Sequence, residues 1–184
     1  MLESSGRKEA LWILAFISFA ESSFFPIPPD VMLIPMVISA PNKAFKMAGV
    51  ATLASVIGGY FGYVIGVWGF DLIARPLLEF YGYTEKFASF KAYYAEYGAW
   101  IVFFAGLTPF PYKVITIASG AAGLNIWVFT VASLLARGLR FYAVAGLLKY
   151  CGERMKNFIE KHFNLLSILF FILLLGSFLL IKYL

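Results

Sequence analysis

Long apolar runs separated by short polar stretches dominate the chain, and they fall into two kinds. Residues 44–70, 126–148 and 165–184 are each long enough, at ~20 apolar residues per crossing, to span a bilayer as one helix. Residues 10–40 and 100–124 are equally apolar but are broken by proline, at Phe25-Pro26-Ile27-Pro28-Pro29-Asp30 and at Thr108-Pro109-Phe110-Pro111-Tyr112-Lys113. Proline has no N–H to donate and disfavours a helical residue before it, so a Pro-x-Pro pair ends one helix before the next begins. The pieces beside each break hold about 10 to 16 residues, roughly 15 to 24 Å of helix, against a ~30 Å hydrocarbon core. The pattern predicts helix–break–helix hairpins that enter and leave on one side, their irregular backbone sheltered by protein or lining a wet cavity. Kinked helices that cross right through are the alternative.

The two broken runs also match each other. A constant offset of 83 sets Pro26 on Pro109, Pro28 on Pro111, Val31 on Val114 and Asn42 on Asn125, and a long unbroken run follows each. A hairpin plus one crossing reverses the chain across the bilayer, so two such units make an inverted repeat. Transporters are often built this way, with interrupted helices meeting near the midplane. The predicted fold is therefore an all-α integral membrane protein, an inverted repeat of two re-entrant helical hairpins plus spanning helices. Repeat one covers about residues 10–70 and repeat two about 98–148, within a membrane domain of residues 1–150. Residues 151–184 add a cytoplasmic amphipathic helix and a C-terminal transmembrane helix.

Charge orients this arrangement. With the N-terminus inside, Arg7, Lys8, Lys43, Lys46, Lys149, Arg154, Lys156 and Lys161 are cytoplasmic, and Arg75, Lys86, Lys91 and Lys182 lie opposite, as the positive-inside bias requires. Residues 71–97 read as an external amphipathic connector, and residues 152–163 as a basic helix at the cytoplasmic interface. The expected location is the inner (plasma) membrane, multi-pass, with a cytoplasmic N-terminus. Arg7 and Lys8 before an apolar run suggest a leader, but Glu3 and Glu9 dilute the charge and apolar character resumes at Phe24, so the stretch reads as mature protein.

Composition removes whole classes of function. The chain is 61% hydrophobic and 14% charged, with a mean hydropathy of +0.82. A soluble domain is about half apolar and a quarter charged, so a water-soluble globule is excluded. A single cysteine (Cys151) and a single histidine (His162) leave no intramolecular disulfide, no His/Cys metal cluster and no paired-histidine phosphatase chemistry. His162 belongs to the basic surface stretch, where Glu160 completes no triad. No nucleophile elbow, Walker loop or dinucleotide fingerprint is present, and nothing calls for a cofactor or a metal. The net charge of +5 is not interleaved with aromatics in a groove, which points to anionic lipid heads and away from nucleic acid.

Five charges sit inside apolar runs, where each costs at least ~2.5–3.5 kcal/mol at a helix centre: Glu21, Asp30, Lys113, Arg137 and Arg140. Glu21 precedes the first break and is the candidate for proton coupling, with Asp30 just beyond. The 83-residue offset sets Asp30 against Lys113, an acid–base pair if the hairpin tips meet, serving as a lock, a working site, or both. Arg137 and Arg140, three apart, share a helix face too deep for effortless snorkelling. Arginine suits bidentate binding of phosphate, so one reading is a lipid or isoprenoid phosphate site. The other is pairing with Glu21 or Asp30 for stability. Gly58, Gly59, Gly62 and Gly66 have the spacing of helix packing, Gly120 and Gly123 allow close approach behind the second hairpin, and Trp12, Trp68, Trp100 and Trp127 mark interfaces.

The order of these features resembles the DedA superfamily, also called VTT or SNARE-associated domain proteins. The resemblance is carried by Phe19-Ala20-Glu21 before Pro26-Ile27-Pro28-Pro29-Asp30, by Ile57-Gly58-Gly59 and Tyr63-Val64-Ile65-Gly66, and by Thr108-Pro109-Phe110-Pro111 before Ala118-Ser119-Gly120-Ala121-Ala122-Gly123. The run from Arg137 through Arg140 to Ala145 resembles the YqaA-like branch. The resemblance covers roughly residues 10 to 150. It implies two opposed re-entrant hairpins, proton-dependent transport, and movement of undecaprenyl phosphate or other phospholipids, or lipid scrambling as in eukaryotic relatives. It also implies a working role for Glu21 and Asp30. The arginines such proteins carry three residues either side of the second break's proline are Gly106 and Tyr112 here, leaving Lys113, Arg137 or Arg140 to substitute.

The expected function is a transporter or scramblase that moves a phospholipid or isoprenoid phosphate through a polar cavity between the hairpin tips. Arg137, Arg140 and Lys113 would hold the head group, and Glu21 and Asp30 would couple protons. A membrane scaffold whose intramembrane charges serve assembly is the main alternative. A lipid-acting enzyme is a distant third, since no nucleophile–base pair can be named. The expected partners are the lipid phosphate, the bilayer and a second copy of the chain.

Overall fold

Prolines set the first boundaries. In the computed structural model, which describes residues 8–25, 27–108 and 110–152, α1 (Lys8–Ser23) stops just before the first proline cluster and α2 (Asp30–Ser39) starts just after it. The amides of Phe24 and Phe25 both reach back to the Ala20 carbonyl, at 2.9 and 2.7 Å, and close α1. The Pro29 carbonyl then accepts from Met32 and Leu33, at 3.0 and 2.9 Å, and opens α2. A 3-10 turn (Pro41–Lys43) leads into α3 (Ala44–Gly69), and a π turn (Phe70–Ala74) leads on into α4 (Arg75–Tyr81). There follow α5 (Thr84–Leu107), α6 (Tyr112–Ala122) and α7, described over Ile126–Gly152. Gly123, at φ +75°, ends α6 in the left-handed conformation that side chains avoid. Asn125 caps α7, its side-chain oxygen accepting from the amides of Trp127 and Val128 at 2.9 and 3.4 Å.

Among the described residues two helices are long and apolar enough to cross a membrane, Pro41–Gly69 and Ile126–Gly152. They run antiparallel, since rising numbers on α3 meet falling numbers on α7. Phe45 stacks on Tyr142, Ser55 meets Arg137, Tyr60 hydrogen-bonds Thr130 and Tyr63 donates to the Leu124 carbonyl. Helix α1 lies parallel to α3, with Phe19 against Gly58 and the Ser22 carbonyl against Gly62. Helix α2 runs back, burying Leu33, Met36 and Val37 with Ala44 and Met47 of α3 and Phe141, Ala145 and Leu148 of α7. The first hairpin thus packs around the end of the α3–α7 pair where α3 begins.

The second hairpin takes the other end. Helices α5 and α6 run antiparallel, with Tyr94 bonded to Ser119 and Gly106 beside Tyr112. Their core joins Val102, Tyr112 and Ile115 to Phe129 and Ala132 of α7. The first break lies level with Gly58 and the second with Ala136, each near the middle of its long helix. There the tips touch, Thr116 Oγ1 donating to the Ser22 carbonyl at 3.1 Å.

Glycine makes the three-layer contact possible. A Cβ on Gly58 would sit 2.2 Å from the Phe19 carbonyl oxygen, one on Gly66 2.0 Å from that of Ile117, and one on Gly120 2.0 Å from that of Tyr63. Here α1, α3 and α6 meet backbone to backbone, as the glycine spacing predicts. Gly123 departs from expectation, being a helix cap with open space around it. A second departure is α5, which runs 24 residues without interruption from Thr84. Of the stretch 71–97 only the part from Thr84 on belongs to α5; the part before it holds the π turn and α4, which Gly82, at φ +69°, ends. Trp12, Trp68, Trp100 and Trp127 all face outward, among many exposed aromatic and aliphatic side chains. That surface suits lipid, since soluble monomers rarely expose apolar area so widely. Pro26, Pro109 and the C-terminal readings, His162 and the last transmembrane helix included, lie outside the described residues.

Candidate functional site

The middle of the molecule, where both breaks lie, holds two acid–arginine pairs. Arg137 Nη2 donates to Glu21 Oε2 at 2.6 Å, and Arg140 Nη2 donates to Asp30 Oδ2 at 2.5 Å. Both arginines come from α7, three residues apart and so on one face. The acids come from the last turn of α1 and the first turn of α2, either side of the first break. Asp30 also meets the partial positive charge of the α2 N-terminus.

The pairs differ in enclosure. Arg137 is 2% exposed and every side of it is occupied. Its Nε donates to Ser55 Oγ at 2.6 Å, and its guanidinium lies over the rings of Tyr112 and Phe141, 4.8 and 4.7 Å from their centres. Ser55 and Ser22 are 2.7 Å apart, and Ser22 donates to Glu21 Oε2 at 3.2 Å. Following the protons, Arg137 donates to Ser55, Ser55 to Ser22, and Ser22 to the carboxylate that Arg137 also holds, a closed ring across α1, α3 and α7. Tyr112 is fixed in turn by a short hydrogen bond to Ser133. Such a sandwich desolvates the cation yet satisfies it, by charge, hydrogen bond and π-face together.

Arg140 is 20% exposed and Asp30 18%. The Arg140 Nη1 donates to the Thr108 carbonyl at 2.7 Å, so one guanidinium ties the first break to the second. Asp30 Oδ1 is buried without a hydrogen-bond partner. This is the half of the site with unspent capacity.

The residues singled out from sequence are distributed as follows. Glu21, Asp30, Arg137 and Arg140 converge at the breaks, with Pro28 and Pro111 bordering them. The expected Asp30–Lys113 pair is absent: Arg140 takes Asp30, and among the described residues Lys113 forms no ion pair. Equal positions in two repeats do not make equal directions, because a side chain's direction follows the rotation of its helix. A cavity of about 350 Å³ lies between α5 and the α6–α7 turn, lined by Glu96, Ala99, Leu124 and Asn125 among others. Sequence reasoning missed Ser22, Ser55, Tyr112 and Phe141; small hydroxyls in apolar helices beside a deep arginine were the available signal.

The VTT domain matches residues 27–150. An uncharacterized protein of Haemophilus influenzae is 37% identical over 166 residues, covering 90% of this chain and 86% of its own length. An uncharacterized protein of Histophilus somni is 35% identical over 153 residues, covering 83% and 80%. No solved structure matches the chain. With two helices fit to cross a bilayer and a VTT domain over most of its length, the chain belongs to the DedA family of membrane proteins.

Proposed function

We propose that the chain is a membrane transporter or scramblase that carries an anionic lipid head group, a phospholipid or an isoprenoid phosphate, past the two helix breaks. One observation carries the reading: two acid–arginine pairs stand where the breaks meet, midway along the two long helices. The hairpins are re-entrant in this reading, dipping into the bilayer of the inner membrane from opposite faces, with the N-terminus cytoplasmic. A charge at that depth is too costly to keep without a use. Protonation of Glu21 or Asp30 removes an arginine's counter-ion, and a phosphate then replaces the carboxylate, since both present the paired oxygens a guanidinium fork fits. Arg140, the more exposed of the two arginines, receives the head group first.

The test is reconstitution of the full chain in vesicles with a fluorescent phospholipid or isoprenoid phosphate, read by access of an impermeant quencher. Glu21→Ala and the double Arg137→Ala/Arg140→Ala variants are expected to lose movement of the lipid. Transport at wild-type speed by both would sink the assignment. The full enclosure of Arg137 favours a second reading, a scaffold whose charges serve assembly only. A variant with Glu21 and Arg137 exchanged separates them: recovered folding with no lipid movement supports transport, and loss of a partner protein on co-purification supports the scaffold.

A further inference from the structure

Ser18 is fully buried on α1, one turn before Ser22, and its hydroxyl has no hydrogen-bond partner among the described residues. The hydroxyls of Ser23, Thr52, Ser119 and Thr130 each donate to the carbonyl four residues back. That bond is open to any helical serine, and Ser18 does not make it. A buried unpaired hydroxyl is destabilising by ~1–3 kcal/mol, and ordered water is the usual remedy. Cβ atoms four residues apart on a helix lie ~5–6 Å apart. One water making two hydrogen bonds of ~2.8 Å bridges that gap. Ser22 in turn donates to Glu21 and touches Ser55, and Thr52 is buried one turn away on α3. Hydroxyls thus line the seam between α1 and α3 from Glu21 toward the N-terminal ends of both helices. The seam closes at Leu14, buried with Ala48, Ala51 and Phe141.

We propose that Ser18 holds a buried water that passes protons to Glu21 through Ser22. The inference rests on the proton-coupled reading above and gives it a route. An excess proton on the water moves to Ser22 Oγ while the serine's own proton moves on to Glu21 Oε2. The hydroxyl is restored, the carboxylate is neutralised, and Arg137 loses its counter-ion. Leu14 separates the water from the open end of the hairpin, so proton entry requires that side chain to swing aside. The charged and titratable groups facing Glu21 are Arg137 from α7, in contact, and Tyr112 from α6, on the guanidinium, with the Asp30–Arg140 pair beyond. From α3 the neighbour is Ser55.

The experiment uses full-length protein in phosphatidylethanolamine–phosphatidylglycerol vesicles with a pH dye inside, after an imposed pH step. Ser18→Ala is expected to slow proton entry about tenfold, the rate equivalent of one lost buried hydrogen bond, and Ser18→Val at least as much. Ser18→Thr keeps the hydroxyl and is expected to stay within about twofold of wild type by the same reasoning. Wild-type rates in Ser18→Ala beside a block in Glu21→Gln would overturn the route and leave proton coupling standing. Slowing that threonine fails to rescue would make Ser18 a packing residue, which also overturns it. Wild-type vesicles no leakier than empty ones would remove the coupling and this route together.

Discussion

Replacing Glu21 by leucine strips the one carboxylate from a guanidinium that is 2% exposed and leaves it with Ser55 and two aromatic faces. Removing one partner of a buried ion pair costs about 3–5 kcal/mol, because an uncompensated charge stays behind. For a chain of this size that is a fall of roughly 6–20 °C in melting temperature. Arg137→Met alone is expected to cost less, since Glu21 keeps the Ser22 hydroxyl and is 13% exposed. The double variant Glu21→Leu/Arg137→Met is expected within about 2 kcal/mol of wild type, because apolar replacement of both partners is often neutral. The assay is reversible unfolding in mixed micelles, read as a double-mutant cycle with an expected coupling of about 2 kcal/mol or more. If the two single effects simply add, within ~0.5 kcal/mol, the pair does not act as a unit and the reasoning fails.

Three further outcomes follow from the packing. Gly120→Ala is expected to destabilise by at least the ~1–3 kcal/mol of ordinary overpacking, because its Cβ would meet the Tyr63 backbone at 2.0 Å. Gly69→Ala, with open space around it, is expected to gain up to ~1 kcal/mol from helix propensity; thermal melts compare the two. Arg140→Lys is expected to cost about 1–2 kcal/mol, since one ammonium cannot span Asp30 and the Thr108 carbonyl as the two Nη atoms do. Hydrogen exchange should then speed up at residues 108–114, and unchanged exchange there would count against the bridge. In a Cys151→Ser background, a cysteine at Ile27 is expected to react with an impermeant maleimide from the face where α3 begins, and one at Phe110 from the other. Labelling of both from one face contradicts opposed hairpins.

The sequence revealed the elements better than the partnerships. Pro-x-Pro pairs located both breaks because proline's missing donor acts locally, whatever surrounds it. The glycine spacing of α3 found its contact face for a similar reason: backbone approach leaves no alternative residue. The beginning of α5 was illegible, because aromatic and polar residues from Thr84 to Tyr97 support a helix without an apolar pattern to show it. Pairing failed in a more instructive way. The repeat offset gave Asp30 to Lys113, whereas the structure gives it to Arg140. Which acid meets which base depends on how helices rotate as they pack, and no one-dimensional alignment carries that angle. The Ser22–Ser55 ring was hidden for the same reason, since a serine in an apolar run looks alike whether it faces lipid or arginine.

Both acids of the central pairs belong to the first hairpin, and both arginines to α7, separated by 116 and 110 residues of chain. During synthesis at ~5–20 residues per second, the carboxylates therefore emerge roughly 6–23 s ahead of the arginines that pair with them. The newborn first half must wait at the insertion machinery, hold its carboxyl groups protonated, or borrow a counter-charge until α7 arrives. Expressed as separate fragments, the halves would be complementary debtors in charge, each incomplete in lipid until it finds the other.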